Sequence, residues 1–365
     1  MSLHCGITGI TNVGKSTIFN CVSDTKVETN TYAFSATRSN IGSIKVPDYR
    51  LGELEKLQPT EKIIPTTIEF VDIPGLARGS SRGEGVGNKF LGDIRNADAL
   101  IHVLRCFEDD NLPHIDGSVD PLRDLENIDF ELQVKDMESV TKKIVRLEKI
   151  AKSGDPDARK GIEVLKRLTG HIEEMKNVRD FDFKPGDKGF IDDLFLLTIK
   201  PVIYVCNVDD ESAVNGNIFV DSVKRHFSGS DIEIIIIAGA LEAEISELDN
   251  DEDRLEFLND VGLSEPGVNK LVRSAYKMLD LQTFFTVGPK EIRAWTIRKG
   301  MTAPQAAGVI HSDMERGFIR AEVMRYDDFV SLGTEQACRD AGKFNVEGKN
   351  YIVNDGDILH IRFNV

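Results

Sequence analysis

Apolar and polar positions change their spacing twice along this chain. Near-continuous apolar runs at Leu3–Ile10, Thr66–Asp72, Ala99–Cys106, Val202–Val208 and Ile232–Ala238 predict strands. Runs without polar alternation suit strands covered on both faces. The helical patterns between them predict βαβ units, hence an α/β domain with a mainly parallel sheet and helices on both faces. Between the third and fourth runs the period lengthens. Met137, Val140, Ile144 and Leu147 are spaced 3-4-3, and so are Leu165, Leu168, Ile172 and Met175. The turn-like KSGDPDARKG (Lys152–Gly161) separates the two stripes, which predicts a helical hairpin with a short coiled-coil seam. From about residue 281, β-rich runs such as TFFTVG and FIRAEVM take over, with one helix near Thr302–Ile310. Asp355-Gly356 between alternating residues predicts a β-hairpin there. Three domains are therefore expected: residues 1–127 with 200–280, an insertion at 128–199, and a β-rich domain at 281–365.

The chemistry starts where the first strand ends. Gly9-Ile10-Thr11-Asn12-Val13-Gly14-Lys15-Ser16 fits GxxxxGK[ST], with an apolar strand before it and STIFNCVS opening a helix after it. In such a P-loop the backbone N–H groups of Asn12 to Thr17 wrap a β-phosphate at a helix N-terminus. Lys15 adds charge between β- and γ-phosphates, and the Ser16 hydroxyl ligates Mg²⁺. EFVDIPG supplies a second part about 60 residues on. Asp72 can hold Mg²⁺ through water, and the Gly75 N–H can sense the γ-phosphate. The next residue is Leu76, which cannot orient water as the Gln of Ras-like proteins does. Slow intrinsic hydrolysis is expected. LARGSSRGEGVGNKFLGDIRNAD (Leu76–Asp98), with glycines at 79, 83, 85, 87 and 92, reads as a switch ordered by the γ-phosphate. His114 reads as a loop histidine rather than a proton carrier.

A third part concerns the base. YVCNVDD (Tyr204–Asp210) resembles the Asn-Lys-x-Asp signature that grips guanine, with Val208 in place of lysine. Asn207, Val208 and Asp210 are the candidate base contacts. Asp210 alone favours guanine, but Val208 cannot brace it, and AGALEA (Ala238–Ala243) lacks the Ser-Ala-Lys pattern that helps hold guanine. An adenine held by backbone groups and by Val208 is expected, with ATP bound more tightly than GTP and Val208→Lys shifting preference toward GTP.

Composition narrows the class. With 41% apolar and 29% charged residues the chain reads as a globular protein. No apolar run approaches the ~20 residues of a membrane span, and LHCGITGI has neither a basic flank nor a cleavage site. No membrane association and a cytoplasmic location are expected. Cys5, Cys21, Cys106, Cys206 and Cys338 are scattered and odd in number, which points to reduced thiols. The net charge of −16 argues against nucleic-acid binding by the whole surface. Residues 281–365, however, hold 11 Lys+Arg and 11 Asp+Glu, so the first 280 residues carry the whole deficit.

These strings closely resemble the YchF/Obg-like ATPases, a branch of the Obg-related P-loop NTPases. NVGKST, IEFVDIPGL, GEGVGNKFL, VLRCFEDD, LEAEISEL, GPKEIRAWTIRKGMTAPQAAGVIHSDMERGFIRAEV and NYIVNDGDILHIRFNV carry the likeness nearly end to end. The resemblance implies a P-loop core, a coiled-coil insertion and a C-terminal TGS domain of β-grasp shape. It also implies a preference for ATP over GTP and association with the ribosome, the large subunit foremost. Contact with rRNA or tRNA would run through the TGS and coiled-coil parts. Thr11 stands where the family has proline, and Asp210 where it usually has glutamate. Ala36 aligns with the family's switch threonine, which reaches Mg²⁺ and the γ-phosphate, and Thr37 is adjacent. Mg²⁺ is then expected on Ser16, phosphate oxygens and water. The function expected is an ATP-binding, slowly hydrolysing switch. A GTPase of the same fold and a nucleotide-binding scaffold with negligible turnover are the alternatives.

Overall fold

A computed structural model describes residues 3–23, 39–75, 86–248 and 250–364. Ala36, Thr37, Leu76 and glycines 79, 83 and 85 lie outside the described residues, and so do the expectations placed on them. In chain order the elements are β1 (His4–Thr8), α1 (Lys15–Val22), β2 (Asn40–Lys45), α2 (Arg50–Leu57), β3 (Ile63–Ile64), β4 (Thr67–Asp72) and α3 (Val86–Asn96). Next come β5 (Ala99–Arg105), α4 (Pro121–Ala151), α5 (Pro156–Glu173), β6 (Val202–Asn207), α6 (Ile218–His226), β7 (Ile234–Ile237), α7 (Gly239–Glu247), α8 (Asp251–Asp260) and α9 (Gly267–Met278). The last are β8 (Leu281–Val287), β9 (Ile292–Arg298), α10 (Ala303–Ile310), β10 (Phe318–Arg325), β11 (Asn345–Glu347) and β12 (Asp357–Phe363), with short helices after β10 and before β11. The chain forms two compact units, Met1–Gly42 with Glu69–Leu271, and Ser43–Ile68 with Val272–Val365.

The first unit is built on a six-stranded sheet of order β2-β4-β1-β5-β6-β7. The pairs β1–β4, β1–β5, β5–β6 and β6–β7 are parallel. Each of the five apolar runs becomes one of these strands, and β5 is buried at every position, as its unbroken apolarity requires. Parallel pairing brings the carboxyl ends of β1, β4 and β6 to one edge, where α/β sheets place their ligands.

The inserted hairpin is α4 against α5, and α4 starts at Pro121, before the expected boundary at 128. Asp120 and Asp155 cap the two helices by accepting from Arg123 N and Ala158 N, each with proline next in sequence. Val140, Leu165, Leu168 and Ile172 are buried in the seam, flanked by Met137, Ile144 and Leu147. Met175 departs from the expected stripe and is 59% exposed. Helix α5 stops at Glu173, and Met175 takes a left-handed φ of 59° in the terminating turn.

The second unit has a six-stranded sheet of order β11-β10-β12-β8-β9-β3. Helix α10, opened by a capping box between Thr302 and Gln305, buries Ala303, Ala306 and Ala307 against Phe284, Ile297 and Phe318. On the other apolar cluster, Leu51 and Leu54 of α2 pack with Phe285, Ile292 and Ile358. The expected hairpin at Asp355-Gly356 does not form. β12 pairs with β10 and β8, and Tyr351–Asn354 adds only an isolated bridge from Ile352 to Thr302. The turn is claimed from elsewhere: Asp355 Oδ1 accepts from Thr283 N (2.8 Å), and Gly356 N donates to Thr283 O (2.8 Å).

Candidate nucleotide-binding site

The loop after β1 carries Asn12 at φ 62° and Gly14 at φ 92°, both left-handed. Gly14 is obligatory for a second reason, since a Cβ there would collide with Asn207 Nδ2. Helix α1 begins at Lys15 with no side-chain cap and no acidic residue in its first turn. Its first N–H groups, with Ser16 and the half-buried Thr17 among them, are therefore available to an anion. Asn12 Nδ2 donates to Pro113 O (3.4 Å), which ties the loop to the segment after β5.

Lys15 Nζ donates to Ile10 O (2.5 Å) and is buried. Burial pulls the ammonium down to about 8, against the opposing charge of Asp72. Gly75 lies beside it: a Cβ on Gly75 would come within 3.0 Å of both Lys15 Nζ and Thr11 Cγ2. The structure thus brings together Lys15 and Gly75, the residues expected to act on the γ-phosphate. Ser16 Oγ donates to Asp72 Oδ2 (2.9 Å). Burial raises the Asp72 carboxyl, opposed by the Ser16 bond and the Lys15 charge, and its Oδ1 is buried without a partner. A hydroxyl and an unsatisfied carboxylate oxygen side by side are the hard donors a divalent cation uses, so these residues fit Mg²⁺.

The base-recognition segment differs from expectation. Asn207 Nδ2 donates to Val13 O (2.8 Å), and its Oδ1 accepts from Gly239 N (2.9 Å). Asn207 is therefore a buried brace between the P-loop and the AGALEA loop. The Val208 side chain is 3% exposed in an apolar cluster with Leu104, Tyr204, Ala213 and Leu241. That burial does not support the apolar contact with adenine expected of the side chain, because the chain leaves β6 with Val208 turned to the core. Its N–H is also spent, on Ile237 O (2.9 Å). Asp209 caps the following turn by accepting from Ser212 N (2.9 Å), which leaves Asp210 as the exposed carboxylate.

Two neighbours were not legible as site residues. Arg105, 1% exposed, gathers the next loop by donating to Phe107 O (3.1 Å), Leu112 O (2.7 Å) and Asp109 O (3.3 Å). Its only sequence signal is a cation ending an apolar strand. His114 Nδ1 accepts from Asp116 N (3.1 Å), so Nε2 carries the proton and donates to Asp124 Oδ2 (2.9 Å). Both ring nitrogens are engaged within the fold, as a loop histidine's would be.

Glu242, in the first turn of α7, is 2% exposed. Its Oε1 accepts from Gly267 N (2.5 Å) and its Oε2 has no partner. Burial pushes this carboxyl up from 4.5 to about 7, against the Gly267 and Val268 N–H groups. A raised folded value means stability is fully present below 4.5 and lost as pH rises through 7. Glu242→Gln, which keeps the acceptor, should therefore stabilise the protein by about 1–3 kcal/mol above pH ~8, with the gain closing in acid. Melting curves across that range check it; a gain that persists undiminished in acid would refute it.

Residues 4–149 match a family model described as 50S ribosome-binding GTPase. Residues 281–364 match the model of the YchF GTPase C-terminal domain, described as a protein of unknown function. The chain is 45% identical over 365 residues to a protein of Haemophilus ducreyi named ribosome-binding ATPase YchF, covering 100% of both chains. A protein of Bacillus subtilis with the same name is 44% identical over 367 residues, again over 100% of both. The structure of the Schizosaccharomyces pombe YchF GTPase superposes with a TM-score of 0.87 at 34% identity, covering 99% of this chain and 98% of that one.

Proposed function

The chain belongs to the YchF family, and from that premise we propose that it is an ATP-binding, slowly ATP-hydrolysing P-loop switch that associates with the ribosome. The observation that carries the reading is the joined set Lys15–Ile10, Ser16–Asp72 and Val13–Asn207–Gly239, which closes the phosphate loop on itself and fixes it to β4, β6 and the start of α7. The first-turn N–H groups of α1 take the β-phosphate, and Lys15 stabilises charge on the transferred group. Ser16, with Asp72 behind it, would hold Mg²⁺, which when bound would neutralise phosphate charge. The Gly75 N–H senses the γ-phosphate and passes its presence to the segment that follows.

ATP is favoured over GTP because among the described residues no side chain braces Asp210 toward the base: Val208 is buried and AGALEA offers no lysine. Equilibrium titration should give tighter binding of ATP than of GTP; tenfold tighter GTP would overturn this. Val208→Lys no longer reads as a specificity switch. It would place an ammonium among Leu104, Tyr204 and Leu241 and should cost about 3 kcal/mol or more of stability, read from denaturant melts. Phosphate release with and without ribosomes separates a switch from a scaffold: a ribosome-stimulated rate supports the switch.

Three working parts are proposed: 1–127 with 200–280 for the nucleotide, 128–199 as a coiled-coil arm, and 281–365 as a TGS domain, with residues 43–68 and 272–280 corrected to the compact unit that holds the last. Contact with the large subunit is supported by the 50S ribosome-binding description of the matched family model, and the last two parts are proposed to engage rRNA or tRNA. Within the C-terminal part, Arg316 pairs with Asp313 and Arg320 with Glu322. Among the described residues no helix is long and apolar enough to cross a membrane. The cytoplasm is the location this reading assigns, because ribosomes are there.

A further inference from the structure

Arg105 directs its guanidinium at backbone. It is the largest fully buried side chain among the described residues. It donates to three carbonyls of the loop after β5, those of Phe107, Leu112 and Asp109, and lies 4.7 Å from the Phe107 ring centroid. A guanidinium taken out of water is costly unless its N–H groups are satisfied. Here the carbonyls that satisfy it all belong to one loop, which is thereby given a fixed shape.

That loop meets the nucleotide site at both ends. At its start Cys106 N donates to Asn207 O (2.8 Å), and Cys106 O accepts from Asn217 Nδ2 (2.8 Å). At its far end Pro113 O accepts from Asn12 Nδ2 of the P-loop. Between them Leu112 N donates to Asp109 O (3.1 Å) and Asn111 N to Asp109 Oδ1 (2.9 Å), closing the turn that Arg105 clasps. Proline fixes its own φ and has no N–H to anchor it. The place of Pro113 O is therefore inherited from Leu112, whose carbonyl Arg105 holds at 2.7 Å.

Asn12 needs that support. At φ 62° it occupies the left-handed region, which asparagine tolerates better than most residues but still at a cost. Its bond to Pro113 O is long, at 3.4 Å, so a small shift of the acceptor breaks it. Left-handed backbone at Asn12 and Gly14 is what turns the N–H groups of the loop inward to form an anion cradle.

We propose that Arg105 is a positioning residue for the P-loop, acting through Leu112 and Pro113 to hold Asn12 in the conformation that receives the β-phosphate. The proposal rests on the nucleotide-binding reading above. The test is a double-mutant cycle on ADP and ATP affinity, measured by calorimetry with the full chain. Arg105→Lys keeps the charge but presents a point ammonium that cannot span three carbonyls. Asn12→Gly keeps the left-handed turn and removes the amide. Each should weaken both nucleotides about tenfold, since the β-phosphate is common to them. Both changes break one chain of contacts, so the double variant should also lose no more than about tenfold, where independent effects multiply to about 100-fold. General loss of stability gives no such coupling, and melting curves show whether each variant is folded at the assay temperature. Where Arg105→Lys is not, Arg105→Gln takes its place in the cycle, with two N–H donors and no buried charge.

Losses that multiply, or a folded Arg105 variant that binds both nucleotides like the parent, would overturn the proposal. In that case a parent that binds both nucleotides leaves the nucleotide reading standing and removes Arg105 alone. A parent that binds neither nucleotide removes the reading itself.

Discussion

Lys15→Ala should lower ATP affinity by about 100-fold or more, some 2.7 kcal/mol, and abolish turnover while the fold survives. The lysine spends little on stability. Its ammonium is buried and pulled from 10.5 down to about 8, so at neutral pH the empty protein keeps a charge that its surroundings disfavour. A base whose folded value is lowered gains folding stability as pH rises from 8 toward 10.5, and below 8 it carries the full cost. Removing it forfeits the bond to Ile10 O but also removes that cost. Melting temperature should therefore stay level or rise. Phosphate charge beside Nζ raises the ammonium again, so above pH ~8 ATP binding should take up protons. Calorimetry in buffers of different ionisation enthalpy reads this directly, and Lys15→Ala should erase it. A variant that bound ATP as tightly as the parent would remove the P-loop assignment.

Asn207→Ala should damage both folding and nucleotide binding. It leaves Val13 O and Gly239 N buried without partners, each worth about 1–3 kcal/mol when orphaned. The P-loop and the AGALEA loop would then move independently, and both ATP and GTP should bind at least about tenfold more weakly. The equal loss is the informative part. A brace acts on the loop geometry shared by both nucleotides, whereas a residue that reads the base would change their ratio. Asn207→Asp should fare no better, because it keeps an acceptor for Gly239 N but turns a carboxylate oxygen toward Val13 O. Titration of both nucleotides against each variant decides it. A loss confined to one nucleotide would return Asn207 to the base-reading role expected from its signature.

The residues with local chemistry were legible in the chain before any fold was seen. Continuous apolarity marked β1, β4, β5, β6 and β7, since a strand buried on both faces has no polar position to spare. GxxxxGKS placed Lys15 and Ser16 at the start of α1, because loop turn, helix start and phosphate charge are encoded within eight consecutive residues. The 3-4-3 stripes fixed α4 against α5 for the same reason, with Met175 misread only because a stripe does not say where its helix stops.

Other features depended on partners far away in sequence. Val208 turns inward and Asn207 becomes a brace because β7 and α7 supply Ile237 O and Gly239 N some thirty residues later. Asp355-Gly356 has the local form of a hairpin, but Thr283 and Arg50 take up the turn from 72 and 305 residues away. Residues 43–68 read as part of the first domain by position, yet Leu51 and Leu54 find their apolar partners in Phe285, Ile292 and Ile358. The phosphate-binding chemistry was thus determined by the sequence alone, because it lies within a few covalently linked residues. Whether Val208 turns into the core, what Asn207 joins, and which turn ends which strand were decided by the tertiary structure, because burial and hydrogen bonding are properties of neighbours that only packing brings together.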